Sequence, residues 1–453
     1  MKMQNYLNPQ SKQGLFTVRQ IIWVILGFVS LVLAVDRGGS AACHLFGIID
    51  SPVFWPFSVF STRVPSFENM AVAVFVVIGF FFFSRFVCGD RVKIIGVAAA
   101  GIALIIGSTL IQGWGPGFLT PIAGGNPPEQ YWHDAIRIHD PVDFLRRFNS
   151  LQPGLLTHAR THPPGAVLAI WALDRLCGGN PSILALVLGV VSAGLMAWAF
   201  YGIARNELTP IAASRLTWLY FLVPAVQIYT LASLDALIAA LLLIAVHLFI
   251  KRGSWRSILG SALCIFAVSL LSFAFLFVLP VLAGLAWRRR IGRLGIVLIL
   301  LVAMHAVLFA FTGFNYWIAF RQAAAMENPG GFQLWVDPAT YALTRLEGLI
   351  EIVWFLGPFL GLAFVRGIRS GISGGVLVRV TGLGVGTLIA MLLAGAFRTG
   401  ETARCCFFIY PYLLFQSGWL VKSSLTSKQV FLTLSWLVFL QALVMQLFGF
   451  YFW

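Results

Sequence analysis

Charged residues are scarce in this 453-residue sequence, in which Asp, Glu, Lys and Arg together make up 10%. A soluble globular domain carries roughly 25% charged and 45–50% apolar residues. Here 59% of the residues are hydrophobic, which excludes both a water-soluble globular protein and a disordered chain. The composition therefore predicts a protein that is embedded in lipid along much of its length.

Cysteine provides neither a disulfide framework nor a metal site. The sequence contains no Cys-x-x-Cys pair, and most of its six cysteines lie in or beside apolar runs. We therefore expect them to act as small hydrophobic residues. They are Cys43, Cys88, Cys177, Cys264, Cys405 and Cys406.

Apolar runs of membrane-spanning length recur along the whole chain. A spanning helix needs about 20 predominantly apolar residues, and thirteen runs approach this length. The expected fold class is an all-α polytopic membrane protein with about 13 transmembrane helices. The predicted spans are 20–36, 69–87, 94–113, 181–203, 212–230, 232–250, 256–271, 273–287, 294–313, 346–365, 374–396, 403–420 and 430–450.

Acidic residues are nearly missing from one side of this topology. If the N-terminus is cytoplasmic and the spans alternate, the cytoplasmic segments hold 20 of the 31 Lys and Arg. Of the 16 acids they hold only Asp90 and Glu207, so their net charge is +18 against −3 for the rest. Positive charge gathers in the cytoplasmic loops of membrane proteins. The overall charge of +15 therefore indicates topology and membrane lipids as partners, not a nucleic acid.

The predicted spans divide the chain into five regions. A three-span region with a cytoplasmic N-terminus is followed by a large outer loop that contains a His-Pro-Pro-Gly turn. A six-span core, a second outer loop and a four-span C-terminal region follow. Their boundaries are 1–113, 114–180, 181–313, 314–345 and 346–453.

Histidine, acid and arginine concentrate in the first outer loop, within 126–165. Four of the seven histidines and four of the sixteen acids lie there. We expect a helix over Glu129 to Ile138, because Pro127 and Pro128 favour a helix start and no breaker follows. A second short helix is expected after Pro141, with its aromatic and apolar residues Phe144, Leu145 and Phe148 on the membrane surface. The tail 158–165 is expected to be an extended turn, because prolines interrupt it.

Three motifs of the sequence resemble the GT-C superfamily, whose members are polytopic glycosyltransferases that use polyprenyl-phosphate sugars. The resemblance is to the protein O-mannosyltransferase and aminoarabinose-transferase types and covers about 115–420. Many members carry an Asp-Glu pair before a loop tyrosine, whereas here the acid is Asp134, Glu129 or Asp140. The motifs are the acidic first loop with His-Pro-Pro-Gly at 162–165, Ser-Leu-Asp-Ala-Leu at 233–237, and Gly-Glu-x-x-Arg at 400–404 followed by Phe407 and Pro411.

The resemblance implies transfer of a sugar from a polyprenyl-phosphate donor to a lipid, glycan or protein acceptor. It implies direct, inverting transfer in a bacterial plasma membrane, with the active site facing outward. The chemistry needs a carboxylate that takes the acceptor proton, cations that bind the leaving phosphate and an apolar groove for the lipid. The candidate catalytic residues are Asp134, Glu129 and Asp140. The candidate substrate-binding and phosphate-binding residues are His158, Arg160, His162, Asp235, Arg398, Glu401 and Arg404.

Several alternatives stay open at the level of sequence. A divalent metal held by some of Glu129, His133, Asp134, His139 and His158 is one, although no sharp ligand spacing is present. The second outer loop has the aromatic and acidic residues that grip sugars, but also those of an interfacial belt. Other functional alternatives are a polyprenyl-phosphate-linked glycan ligase or polymerase, a lipid or solute transporter, and an assembly partner without a catalytic acid.

Overall fold

Helices make up about 82% of the computed structural model, as the apolar runs and their few interruptions require. The structure describes residues 17–45, 60–125, 128–231, 233–251, 254–287, 290–369, 375–397, 401–422 and 428–451. The expected all-α class is therefore confirmed. The one small sheet in this part of the chain is an antiparallel ribbon of β1 (Phe60–Thr62) and β2 (Gly449–Tyr451).

Three sets of helices coincide with the apolar runs, and some runs are divided into several short helices. They begin, in chain order, with α1 (Val18–Leu45), α2 (Phe67–Val87) and α3 (Ile94–Leu110). The central set is α9 (Pro181–Ala204), α10 (Pro210–Leu222), α11 (Pro224–Tyr229), α12 (Leu234–Ile250), α13 (Trp255–Leu271), α14 (Val278–Ala286) and α15 (Ile291–Thr312). The last set is α18 (Pro338–Leu356), α19 (Pro358–Arg369), α20 (Val376–Leu393), α21 (Thr402–Cys405), α22 (Tyr410–Phe415), α23 (Gly418–Lys422) and α24 (Lys428–Phe448).

The polar segments between these sets form short helices. The first contains α4 (Thr120–Ala123), α5 (Tyr131–Ala135), α6 (Pro141–Leu151), α7 (Thr157–Arg160) and α8 (Gly165–Leu176). The second contains α16 (Tyr316–Glu327) and α17 (Gln333–Val336). Single turns of π or 3-10 helix lie at Gly115–Leu119, Gln152–Gly154, Phe273–Phe277 and Phe407–Ile409.

Five described helices are long and apolar enough to cross a membrane, namely α2, α9, α15, α20 and α24. The pair α18 and α19 passes the same test together but is bent by 99°. This is compatible with an integral membrane protein, while the count of thirteen spans and the GT-C fold stay predictions. The predicted span 212–230 is broken, because Pro224 separates α10 from α11. Ser272, with extended backbone, ends α13 at the predicted boundary between 256–271 and 273–287.

Arg63 ties the N-terminal helices to the C-terminal one. Its guanidinium donates to the carbonyls of Ile111 and Gln112 after α3, and to those of Gln446 and Leu447 in α24. The four donor–acceptor distances are between 2.8 and 3.2 Å. A cation is well placed here, because the C-terminal ends of helices expose carbonyls and partial negative charge.

The two polar segments are joined directly. The side-chain amide of Asn149 in α6 forms two hydrogen bonds with the backbone of Asn315, which precedes α16. Its Nδ2 donates to the Asn315 carbonyl and its Oδ1 accepts the Asn315 N–H. On the other face of α6, Phe144 is 7% exposed and Phe148 is fully buried against Phe314. The expectation that these aromatic residues lie on the membrane surface is wrong, because the second polar segment covers them.

Candidate active site

The first polar segment has less helix before Ile138 and more helix after Leu156 than the sequence predicts. Helix α5 contains only Tyr131–Ala135, so Glu129 lies outside it. The backbone carbonyl of Glu129 instead accepts from the N–H of His158 at 3.4 Å. This contact draws the chain away from helical geometry at Glu129. It also joins α5 to α7, a helical turn at a place where the sequence predicts an extended tail.

Asp134 is the most buried of the three candidate catalytic acids, at 5% exposure. Its Oδ2 accepts the N–H of Leu156 at 3.0 Å, and Arg137 lies 3.9 Å from its Oδ1. Burial raises the pKa of this carboxyl, although the Leu156 N–H and the Arg137 charge oppose the increase. A carboxyl with a raised pKa is suited to proton transfer, and Asp134 shares one face of α5 with Tyr131.

The other polar candidates of this segment face the surface. Glu129 and Arg160 are exposed. Asp140 is exposed as well and caps α6, because its Oδ1 accepts the N–H of Val142 at 2.8 Å. Asp140 therefore has a structural task. The backbone carbonyl of Arg160 accepts a hydrogen bond from the buried Gln152 side chain at 2.9 Å. The Arg160 side chain takes no part in this contact.

His158 and His162 both lie beside the ring of Tyr131. The Tyr131 ring centroid is 5.8 Å from that of His158 and 5.5 Å from that of His162. His162 Nδ1 lies 2.9 Å from the carbonyl oxygen of His158. The turn that follows is packed tightly, because a Cβ at Gly165 would lie 2.5 Å from the Leu270 carbonyl oxygen. The contact of Nδ1 with the His158 carbonyl thus orients the His162 imidazole at the start of the His-Pro-Pro-Gly turn.

Asp235, Glu401 and Arg404 form an ion-pair network that joins two distant parts of the chain. Arg404, 11% exposed, pairs with Glu401 one turn away and has its Nε 3.8 Å from Oδ2 of Asp235. Helix α12 is capped by Ser233, whose Oγ accepts the N–H of Asp235 at 3.1 Å. Since Ser233 caps the helix, the Asp235 carboxylate can face Arg404.

The charges of Arg404 and Asp235 act on the two histidines and on Tyr131, so this network lies near them. Burial, Arg404 and His162 together lower the pKa of His158 to about 3. Burial also lowers the pKa of His162, although the Asp235 carboxylate raises it. Burial raises the pKa of Tyr131 well above 10, with Asp235 adding to the increase and Arg404 opposing it. Both imidazoles are therefore neutral at pH 7.

Five of the ten predicted site residues thus meet at what we call the central cluster, which consists of His158, His162, Asp235, Glu401, Arg404 and the unpredicted Tyr131. Asp134 borders it through α5. Arg398 lies outside the described residues. Glu129 contacts the cluster only through its backbone carbonyl, which accepts the N–H of His158, and the described contacts join no side chain of Glu129, Asp140 or Arg160 to the cluster.

Glu351 is a further residue of the site that the motifs do not predict. It belongs to α18, is 3% exposed, and accepts the N–H of Thr402 at 3.0 Å through its Oε2. A signal was present in the sequence, because Glu347 and Glu351 interrupt the predicted span 346–365 at helical spacing. Ionisable residues inside apolar helices are rare and commonly functional.

The site has no evident place for a metal ion within the described parts of the chain. No group of three or more His, Cys, Asp or Glu side chains there is arranged to hold one. The chemistry of the central cluster is that of an arginine, two carboxylates, two neutral imidazoles and a phenol. Such a set can bind an anionic group and hydroxyls.

Comparison of this chain with protein-family models, with curated proteins and with solved structures finds no significant match.

Proposed function

We propose that this protein is a membrane glycosyltransferase that transfers a sugar from a polyprenyl-phosphate donor to a lipid, glycan or protein acceptor. The observation that carries the proposal is the convergence of His158, His162, Asp235, Glu401 and Arg404. These residues belong to the three motifs that resemble GT-C enzymes, and the motifs are widely separated in sequence. An unrelated fold would not be expected to gather them.

In the proposed reaction, an acceptor hydroxyl oxygen attacks the anomeric carbon of the donor sugar. The bond between that carbon and the phosphate oxygen breaks, and polyprenyl phosphate leaves with the bonding electron pair. A carboxylate takes the hydroxyl proton. Asp134 is the first choice for this base because burial raises its pKa, and Asp235 is the second because it lies in the central cluster. Inversion follows from a single displacement.

Arg404 is the phosphate-binding residue of this proposal. Its guanidinium can form two parallel hydrogen bonds to a phosphate, and in the structure it pairs with Glu401 and Asp235. The donor phosphate would take the place of one of these carboxylates. The exchange substitutes one anion for another around a cation that is 11% exposed, so the guanidinium is not left without a counter-charge.

The His162 imidazole is suited to accept a hydrogen bond from a hydroxyl group rather than to bind the phosphate. A backbone carbonyl only accepts hydrogen bonds, so the contact to the His158 carbonyl places the proton on His162 Nδ1. In the neutral ring, Nε2 then carries a lone pair and accepts. It could receive a hydrogen bond from a sugar or acceptor hydroxyl, whereas a phosphate oxygen would be repelled.

The proposed location is a bacterial plasma membrane, with the central cluster at the outer face. The apolar helices would hold the polyprenyl tail while the phosphate meets Arg404. A polyprenyl-phosphate-linked glycan ligase or polymerase shares this donor chemistry. The identity of the acceptor separates these activities, so the test must follow both substrates.

The decisive experiment offers a panel of polyprenyl-phosphate sugars to the purified full-length protein in lipid nanodiscs, with a cell-envelope extract that contains lipids, glycans and proteins as the source of acceptor. We expect consumption of one donor and release of polyprenyl phosphate. Asp134→Asn and Arg404→Met should each lower the rate by at least about 100-fold, since each removes a group that acts in the transition state.

Glu129→Gln is the matched control, because Glu129 precedes the same short helix but is exposed. It should react within about twofold of the wild-type rate, since a solvated acid outside the site contributes little. If no donor is consumed, or if Arg404→Met turns over like the wild type, the proposal is wrong. If Asp134→Asn is fully active and Asp235→Asn is not, the base is Asp235.

One observation favours a transporter as a second candidate. Helices α18 and α19 form a pair bent by 99° at Gly357, and α18 carries the buried acids Glu347 and Glu351. Broken helices and buried acids at membrane depth are common at transport sites. Reconstitution in vesicles distinguishes the two functions, because a flippase would expose a fluorescent lipid-linked sugar on the opposite leaflet without cleaving it.

A further inference from the structure

The helix turn that carries Arg404 begins without a cap of its own. Helix α21 has the four residues Thr402–Cys405, and the N-cap residue Glu401 makes no capping hydrogen bond with its side chain. The Glu401 carboxylate instead pairs with Arg404. The first N–H groups of a helix have no partner within the helix. In a buried site such groups need another acceptor.

Glu351 supplies that acceptor from a helix about fifty residues earlier. Its carboxylate accepts the N–H of Thr402 at 3.0 Å and also the N–H of Ala403. The approach of the two helices is close, because a Cβ at Gly348 would lie 2.9 Å from Oγ1 of Thr402. The two carboxyl oxygens of Glu351 thus provide acceptors for N–H groups that have no partner within the helix.

The same helix holds the chain on the other side of this segment. Arg345, 7% exposed, donates to the carbonyls of Leu392 at 3.1 Å and of Phe397 at 3.2 Å, and also to that of Ala396. Phe397 has a positive φ of 56°, which is unfavourable for a phenylalanine unless its surroundings impose it. Helix α18 therefore secures the backbone both before and after 398–401.

We propose that Glu351 is a positioning residue, which caps α21 in place of Glu401 so that Glu401 and Arg404 are held toward Asp235. Glu351 acts through the backbone of Thr402 and Ala403 and need not touch the substrate. The catalytic consequence rests on the proposed function, since Arg404 is the group that would bind the donor phosphate. The structural consequence does not depend on it.

Glu207 offers a matched control elsewhere in the chain. Its Oε1 accepts the N–H of Leu377 at 3.1 Å, so it caps α20 from a distance in the same way. It is not among the residues that contact the central cluster in the described structure. A Glu207→Gln variant therefore reproduces the loss of a remote carboxylate cap without an effect on Arg404.

The first test is kinetic. Glu351→Gln, which replaces one carboxyl oxygen with an amide NH2 group, should raise the KM for the lipid-phosphate donor by about tenfold or more, because the NH2 group cannot accept and one oxygen must then serve the N–H groups of Thr402 and Ala403. Combined with Arg404→Lys, it should add little to the effect of Arg404→Lys alone. Glu207→Gln should leave KM unchanged and combine additively with Arg404→Lys. Additive behaviour of Glu351→Gln, or an unchanged KM, would overturn the inference.

The second test needs no activity and therefore separates failure of this inference from failure of the proposed function. Amide hydrogen exchange is measured on peptides covering 402–406 in the full-length protein. Exchange should be about tenfold faster in Glu351→Gln and faster still in Glu351→Leu, but unchanged in Glu207→Gln. Should Glu351→Leu fail to fold, the Gln variant decides the result. Equal exchange in Glu351→Gln and the wild type would refute the positioning role.

Discussion

Because the fold keeps the imidazole of His158 neutral, we predict that the protein loses stability in mildly acidic solution. In the folded protein, burial and the charge of Arg404 lower the pKa of His158 to about 3, whereas an unfolded chain has a histidine pKa of about 6.5. The folded state therefore binds no proton at this site between these two values, while the unfolded state does. The stability that the neutral His158 contributes is fully present above pH 6.5 and is lost as the pH falls toward 3.

The magnitude follows from proton linkage. Lowering the pH from 7 to 5 stabilises the unfolded state relative to the folded state by about 2 kcal/mol, because this one histidine is protonated only in the unfolded chain. The pKa of His162 is lowered too, so its contribution has the same sign. We expect the effect in the free energy of unfolding, measured by titration with sodium dodecyl sulfate in mixed micelles at both pH values.

The variant that isolates the effect is His158→Phe, which keeps a planar ring against Tyr131 but cannot titrate. Its loss of stability between pH 7 and pH 5 should be smaller than that of the wild type by about 2 kcal/mol. His139→Gln is the control, because His139 is an exposed histidine of the same segment, and it should behave like the wild type. An equal pH dependence in His158→Phe and the wild type would show that His158 is not kept neutral by the fold.

Two further predictions concern the scaffold. Arg63→Met removes four hydrogen bonds to carbonyls at helix ends, although Asn69 and Gln112 still donate to those of Ile111 and Gln446. It should lower the free energy of unfolding by about 2–3 kcal/mol, measured by the same micelle titration. Gly101→Val would place a Cβ 2.3 Å from the ring of Phe221 and should cost about 1–3 kcal/mol through overpacking. Gly194→Ala, where a Cβ meets nothing within 4 Å, should be neutral or slightly stabilising, and a comparable loss in both glycine variants would contradict the packing argument.

The composition and the polar motifs predict much of the site because they depend on local sequence. A histidine, an acid or an arginine in an apolar chain is conspicuous, and His162, Asp235 and Arg404 stand out for this reason. The helical class follows from the apolar runs in the same way. What local sequence does not contain is the partner of each charge, since Asp235 and Arg404 are 169 positions apart and meet only in the folded chain.

The errors have the same physical origin. The helix predicted over Glu129 to Ile138 contains no residue that breaks it, yet it begins only at Tyr131, because tertiary contacts recruit the Glu129 carbonyl. Phe144 and Phe148 of α6 share one helix face, as they would on a membrane surface, but the two hydrogen bonds of the Asn149 side chain to the Asn315 backbone bring the second polar segment beside them. The conformation that a short segment prefers by itself is overridden where a buried backbone N–H or carbonyl needs a hydrogen-bond partner from elsewhere in the chain.

Glu401 illustrates how a local interpretation and a functional one can both apply. By sequence alone, the i, i+3 spacing of Glu401 and Arg404 could represent an ordinary helix ion pair, and the structure contains that pair. The pair nevertheless leaves the helix N-terminus without its usual cap, and Glu351, an acid buried at 3% exposure, serves in its place. Burying a second carboxylate is costly. If stability alone were selected, Glu401 itself would cap α21 and an apolar side chain would fill the space of Glu351. The observed arrangement therefore favours a role for Glu401 and Arg404 beyond stabilising the helix.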